Sequence, residues 1–285
     1  KSFDHVKYKT LLVRSATGAL YVAMVVFSIA LGPWWFAALM FIFFLLSLLE
    51  YLHLVLPSKE KILKCLTIIV SSGLYCILCF TALNPLLQPE KLLAWSILLI
   101  PILLTFSLFI KSSDILMKIA LVLLGIIYIT FPFVLLNFIG NPWLTKFDDP
   151  RIILLSFFIF VWTNDTFAYL MGVNFGRHRL FERLSPAKTW EGMLGGIFFT
   201  LVMGILLSCF FKERSVIQWI GMALITSVSG ILGDLSESLI KRTFGVKDSG
   251  KAIPGHGGFL DRFDSILFAA PSIFVYFIMI SLITL

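Results

Sequence analysis

The sequence has few charged residues for its length. Only 14% of its 285 residues are Asp, Glu, Lys or Arg, whereas 59% are hydrophobic. A water-soluble domain of this size cannot bury so much apolar surface, because its exterior must carry polar groups. The composition therefore excludes a soluble enzyme and predicts a membrane protein with several spanning segments.

Cysteine is also scarce, and its four copies lack a metal-binding spacing. Cys65, Cys76, Cys79 and Cys209 all fall inside apolar runs, where a thiol usually packs as a small hydrophobic group. We therefore expect no zinc site and no redox role. The net charge of +7 does not indicate nucleic-acid binding, because membrane topology explains how the basic residues are distributed.

Apolar runs of about 20 residues, long enough to cross a bilayer, occur nine times. We predict an all-α, polytopic integral membrane helix bundle that forms a single domain over residues 1–285, in which 1–150 is mainly scaffold and 151–285 carries the chemistry. The predicted spans are 12–32, 34–56, 62–84, 92–110, 115–139, 151–172, 192–211, 216–240 and 263–284.

Lys and Arg are concentrated on one side of these spans. The N-terminal segment and the loops after spans two, four, six and eight hold 18 of the 23. By the positive-inside rule the N-terminus is cytoplasmic. The polar loops 173–191 and 241–262 then face the cytoplasm, where nucleotides are available.

The densest polar stretch covers residues 238–264. It contains eight charged residues and five glycines between two apolar runs. Glycines let backbone N–H groups approach a ligand closely, and clustered Lys and Arg suit polyphosphate. Asp261 and Asp264 are three residues apart at the start of a span and offer hard oxygen ligands to Mg²⁺. A basic loop facing lipid headgroups is the alternative.

Two spans carry acids that an ordinary hydrophobic helix would lack. Asp165 lies in span six within the run Thr163–Thr166, and an acid inside a span indicates a functional site because its burial must be offset. In span eight, Asp234 begins a stripe with residues at i+3, i+4 and i+7. The other members of that stripe are Glu237, Ser238 and Lys241.

The loop after span six is polar and basic. Ser185 followed by Pro186 predicts a helix N-cap with Pro at the first helical position. Lys188 and Thr189 would then lie in the first turn, where free N–H groups attract phosphate. Glu191 would orient Lys188 or a metal-bound water.

Both polar stretches resemble the signature regions of the phosphatidate cytidylyltransferases, also called CDP-diacylglycerol synthases. The first resemblance is carried by Ser238, Ile240, Lys241, Arg242, Lys247, Asp248, Gly250, Pro254, His256, Gly257, Gly258, Asp261, Arg262 and Asp264. The second is a Ser-Pro-x-Lys-Thr-x-Glu-Gly run from Ser185 to Gly192. Ala187 departs from it at a position where Lys is frequent, so one phosphate contact is not expected here.

The resemblance implies that CTP and phosphatidic acid react to give CDP-diacylglycerol and pyrophosphate. It implies one or two Mg²⁺ ions held by Asp234, Asp261 and Asp264, with Asp165 as a further ligand or orienter. Phosphate binding is assigned to Lys188, Lys241, Arg242, Lys247 and Arg262. The remaining substrate-binding assignments are Ser185, Thr189, Glu191, Ser238, Asp248, Gly255, His256, Gly257 and Gly258.

The resemblance also implies a homodimer in a bacterial cytoplasmic membrane, with membrane lipids as partners and no nucleic acid. Three other functions fit parts of the pattern. A CTP-dependent kinase of a lipid alcohol would transfer the γ-phosphoryl group and release CDP. A transporter of phosphate or organic anions would need charges reachable from both sides, and a purely structural scaffold leaves the acids in the spans unexplained.

Overall fold

The computed structural model describes residues 2–84, 99–110, 114–145, 149–250 and 257–283. Helices make up most of these residues, and the sheet is a single hairpin. The helices are α1 Ser2–Leu31, α2 Pro33–Val55, α3 Lys61–Leu83, α4 Leu99–Ser107, α5 Ile115–Gly125, α6 Phe131–Ile139, α7 Pro142–Thr145, α8 Pro150–Phe175, α9 Trp190–Phe210, α10 Val216–Thr243 and α11 Leu260–Ile283, with a π-helical turn Ile126–Thr130 between α5 and α6. The strands are β1 Arg179–Phe181 and β2 Ser185–Thr189.

Seven helical segments are long and apolar enough to cross a membrane, which confirms the polytopic all-α fold. They are Pro33–Val55, Lys61–Leu83, Ile115–Ile139, Pro150–Phe175, Trp190–Phe210, Val216–Thr243 and Leu260–Leu282. The first predicted span corresponds to a shorter apolar stretch in α1, Ala16–Leu31. The fourth, 92–110, lies partly outside the described residues, and its described part contains α4.

The chain forms two compact units. The N-terminal unit comprises Lys1–Phe133 together with Val246–Arg262, and the C-terminal unit comprises Val134–Gly245 together with Phe263–Leu285. The polar stretch 246–262 thus groups with the N-terminal helices rather than with its neighbours along the chain. The single domain over residues 1–285, with 1–150 mainly scaffold, stays a prediction.

Glycines set the helix packing in the C-terminal unit. A Cβ at Gly196 would lie 2.9 Å from the backbone oxygen of Asn164, and one at Gly192 would lie 2.7 Å from that of Ala168. A Cβ at Gly233 would overlap the backbone oxygen of Asp264. Because small residues let helix backbones approach closely in membranes, α8 packs on α9 and α10 packs on α11 through these positions.

The N-cap prediction for Ser185 is wrong. Ser185 and Lys188 lie in β2, which pairs antiparallel with β1, so neither residue is in a first helical turn. Helix α9 begins at Trp190, and Thr189 is its N-cap, with Oγ1 accepting from the backbone N–H of Gly192 at 3.1 Å. The strand pairing with Arg179–Phe181, which lies just before the Ser-Pro pair in the chain, overrides the local capping signal.

The N-terminal unit contains two polar side-chain contacts between its helices. Glu60, which precedes α3, forms a buried ion pair with Lys118 of α5, with Oε1 and Nζ 2.9 Å apart. Tyr51 of α2 donates its hydroxyl to the backbone oxygen of Leu121 at 2.9 Å, just before the π-helical turn. This hydrogen bond ties α2 to α5.

Candidate active site

A cavity of about 600 Å³ lies in the C-terminal unit, lined by α8, the hairpin, α9, α10 and α11. Five residues that the sequence predicted for the site line it together, namely Asp165, Ser185, Lys188, Thr189 and Asp234. Tyr169, one helical turn after Asp165, lines it as well. The structure therefore brings the polar run Ser185–Thr189, Asp165 of α8 and Asp234 of α10 to one cavity.

Three carboxylates cluster next to this cavity. Oxygen atoms of Asp234, Glu237 and Asp264 all lie within 4.8 Å of one another. The Glu237 side chain is fully buried. Asp234 and Glu237 are three residues apart on α10, so they share one helix face as the stripe predicted. Glu237 was absent from the predicted metal ligands, although its spacing from Asp234 was the signal for it.

Two lysines accompany the acids. Lys188 of β2 forms an ion pair with Asp234, and Lys241 Nζ lies 2.6 Å from Glu237 Oε2, one helical turn away on α10. Ser238, also predicted, is buried on the same helix. The stripe of α10 thus brings Lys241 to Glu237, and the hairpin adds Lys188.

The acids outnumber these lysines. Asp165 interacts electrostatically with Asp234 and Lys188, and Asp264 interacts with Asp165. Four acids therefore share a neighbourhood with Lys188 and Lys241. Like charges this close together repel unless a cation offsets them. An all-oxygen donor set of this kind suits a hard divalent ion such as Mg²⁺, so the residues present fit the metal that the resemblance implies.

Glu191 stabilises the loop that enters the hairpin. Its carboxylate accepts from the backbone N–H groups of Arg177 and His178, at 3.1 and 3.2 Å, and hydrogen-bonds the His178 ring at 2.6 Å. Among the described residues, Glu191 hydrogen-bonds this loop, and Lys188 pairs with Asp234. The role expected of Glu191, orienting Lys188 or a metal-bound water, stays a prediction. At the other end of the hairpin, Arg242 Nε donates to the backbone oxygen of Leu184 at 3.4 Å.

The motif residues of the N-terminal unit are arranged around two carboxylates. Asp261 accepts from the backbone N–H groups of Gly258, at 2.8 Å, and Ser249, at 3.1 Å. Gly257 has φ +85°, a left-handed conformation that favours glycine. Glu50 of α2 accepts from Ser249 Oγ and from the backbone N–H of Leu260.

The other predicted residues of this motif divide into two groups. Lys247, Asp248 and Arg262 are exposed. Gly255 and His256 lie outside the described residues. The assignment of Asp261 to a metal stays a prediction, as do the substrate contacts of the remaining motif residues.

The comparisons define the class of protein. The sequence model of the cytidylyltransferase family matches residues 12–280 of this chain. The chain therefore belongs to that family.

Relatives within this class are named phosphatidate cytidylyltransferase. The Staphylococcus saprophyticus protein is 38% identical over 196 residues, which cover 68% of this chain and 71% of the relative. The Staphylococcus aureus (strain COL) protein is 48% identical over 129 residues, 45% of this chain and 49% of the relative, and the Haemophilus influenzae protein is 42% identical over 134 residues, 45% and 46%. The chain thus spans about half the length of the Staphylococcus aureus relatives it matches.

Proposed function

We propose that this protein transfers the cytidylyl group of CTP to phosphatidic acid, giving CDP-diacylglycerol and pyrophosphate for phospholipid biosynthesis. The observation that carries the proposal is the cluster of Asp234, Glu237 and Asp264 beside Lys188 and Lys241. Relatives named for this activity support it. The reaction needs both anion-binding and cation-binding groups, and the cluster has both.

In the proposed reaction a phosphate oxygen of phosphatidic acid attacks the α-phosphorus of CTP. A new oxygen–phosphorus bond forms, and the bond between the α-phosphorus and the oxygen bridging to the β-phosphorus breaks. That bridging oxygen leaves with pyrophosphate. No protein nucleophile is required, because such transfers depend mainly on positioning and charge stabilisation.

The lysines and the cavity serve the substrates in this proposal. Lys188 is one-quarter exposed at the cavity, so its ammonium group can exchange its contact with Asp234 for a phosphate oxygen. Lys241 stays close to Glu237 and holds that carboxylate in place. Arg242 and the motif residues Lys247 and Arg262 are assigned to phosphate binding by the resemblance.

Asp234, Glu237 and Asp264 would hold Mg²⁺, with Asp165 close by. When bound, Mg²⁺ would neutralise phosphate oxygens and stabilise the departing pyrophosphate. Asp261 remains a candidate ligand because it precedes Asp264 by three residues in α11, although its carboxylate accepts two backbone hydrogen bonds. We further propose a homodimer in a bacterial membrane, with the site on the cytoplasmic side.

The proposal is tested by following which phosphate of CTP reaches the lipid, with two differently labelled CTP substrates. Protein purified in detergent is incubated with phosphatidic acid and Mg²⁺, and with CTP labelled either at the α-phosphate or at the γ-phosphate. We expect label in the lipid from α-labelled CTP and label in pyrophosphate from γ-labelled CTP.

Two outcomes contradict the proposal. Transfer of γ-label to a lipid alcohol such as dolichol, with release of CDP, would identify a kinase instead. Uptake of intact CTP or phosphate into proteoliposomes, without any labelled lipid, would identify a transporter.

A further inference from the structure

We propose that Glu50 is a positioning residue, which caps the start of α11 and fastens Ser249 and Leu260 to α2. Its carboxylate accepts from the backbone N–H of Leu260, the first residue of α11, at 3.0 Å. The same oxygen, Oε2, accepts from Ser249 Oγ at 2.9 Å. One side chain of α2 therefore contacts both described parts of the motif, residues 246–250 through Ser249 and residues 257–262 through Leu260.

The backbone around Glu50 leaves little room for movement. A Cβ at Gly250 would lie 2.5 Å from Glu50 Oε1, and a Cβ at Gly258 would overlap both Ser249 Oγ and Glu50 Oε2. Glycine at these two motif positions thus lets the backbone close on the carboxylate. The close approach explains these glycines without a ligand in contact with them.

A second contact lies on the same face of α2. Phe43, two helical turns before Glu50, packs its ring against Phe259, with centroids 6.0 Å apart. Residues seven apart lie on one helix face, so the polar and the aromatic contact act on the same chain segment. Phe259 immediately precedes Leu260, and the two contacts therefore fix the point at which α11 begins.

A carboxylate is chemically suited to this position. The first N–H groups of a helix have no partner within the helix, and the helix dipole favours a negative charge there. Asp261 binds the N–H groups of Gly258 and Ser249 in the adjacent turn. Glu50 completes this capping from a separate helix, which lies about 200 residues away along the chain.

The consequence for the reaction follows along α11. That helix carries Asp264, a member of the carboxylate cluster, one turn after Leu260. Catalysis depends on placing such groups within a fraction of an ångström, and a misplacement of about 1 Å can cost about 100-fold. This role rests on the proposed function, because it acts through residues assigned to that reaction.

The experiment compares Glu50→Ala, Glu50→Gln and a matched control, His53→Ala. His53 is exposed on the same helix, and its described hydrogen bond is to Leu49 of that helix. A glutamine carbonyl can accept both bonds of Oε2, and Oε1 has no hydrogen bond among the described residues. We expect kcat to fall at least about 10-fold in Glu50→Ala, but less than about threefold in Glu50→Gln and His53→Ala.

Amide hydrogen exchange of residues 257–262 gives a readout that does not need activity. We expect faster exchange there in Glu50→Ala but not in Glu50→Gln, with the hairpin 179–189 unchanged in both. Should Glu50→Ala fail to fold, Ser249→Ala removes one donor and should give a smaller change in the same direction. In the double variant Glu50→Ala/Ser249→Ala, the loss of exchange protection should be no larger than in Glu50→Ala alone.

Three results would overturn the inference. The first is a Glu50→Ala protein whose exchange matches that of His53→Ala, and the second is faster exchange in Glu50→Ala with unchanged kcat. A Glu50→Gln variant as impaired as Glu50→Ala would likewise reject capping through hydrogen bonds. If wild-type protein incorporates no α-label, the proposed function fails, and the exchange measurement still decides whether Glu50 fastens the stretch.

Discussion

The N-terminal and the C-terminal unit both bring acids and lysines close together, but in different proportions. In the N-terminal unit Glu60 faces Lys118, with the two side chains 8% and 11% exposed. In the C-terminal unit four acids share their surroundings with Lys188 and Lys241. A balanced pair satisfies its own charges, whereas surplus acid attracts a cation. The difference separates a structural ion pair from a candidate metal site.

Loss of a carboxylate from the cluster should have the largest effect. Asp264→Asn keeps the size of the side chain but removes one negative charge from the candidate metal site. We expect CTP-dependent activity to fall at least about 1,000-fold, which corresponds to about 4 kcal/mol of transition-state stabilisation. Circular dichroism and gel filtration in detergent should match the wild type. An active Asp264→Asn enzyme would contradict a role for the cluster in the reaction.

Breaking the ion pair of the N-terminal unit should affect stability and not chemistry. Glu60→Gln removes the carboxylate charge that faces the buried Lys118, so we expect a loss of about 3 kcal/mol in stability. The double variant Glu60→Gln/Lys118→Met should recover part of this loss. Activity per folded molecule should stay within about threefold of the wild type. Loss of activity in a well-folded double variant would show that the Glu60–Lys118 pair serves the reaction and is not only structural.

Helix spacing next to the cluster should give a smaller effect. A Cβ at Gly233 would overlap the backbone oxygen of Asp264, so Gly233→Ala should push α10 and α11 apart. We expect a stability loss of about 2 kcal/mol from this overpacking, together with reduced activity. Gly18→Ala is the control, because a Cβ there meets nothing within 4 Å. Equal melting temperatures for the two variants would argue against tight contact between these helices.

The smallest effect should come from the cap of α9. Thr189→Ala removes the acceptor for the backbone N–H of Gly192, so we expect a loss of about 1 kcal/mol. Thr189→Ser should retain most of that stability, and Ser185→Ala should not lose cap stability because Ser185 lies in β2. A larger stability loss in Ser185→Ala than in Thr189→Ala would support the predicted N-cap at Ser185 and contradict the one at Thr189.

The spans were predictable because bilayer thickness fixes their length. The predicted span 34–56 became Pro33–Val55, and 216–240 became Val216–Thr243. The polar stripe of α10 was predictable for a similar reason, since helical spacing alone brings Glu237 close to Lys241.

Features that depend on a partner outside the motif itself were not predictable from the motif alone. The strand Ser185–Thr189 forms because it pairs with Arg179–Phe181, while its Ser-Pro start has an equally good local interpretation as a cap. Glu50 contacts a motif 199 residues away. No local spacing encodes that distance.

Direct measurement of a bound cation tests the central claim. Mn²⁺, which replaces Mg²⁺ in oxygen-ligand sites, is titrated into the detergent-solubilised protein, and free Mn²⁺ is followed by electron paramagnetic resonance. We predict saturable binding by the wild type that is lost in Asp234→Asn/Asp264→Asn and retained in Glu60→Gln/Lys118→Met. Equal Mn²⁺ binding by the wild type and by Asp234→Asn/Asp264→Asn would contradict the account.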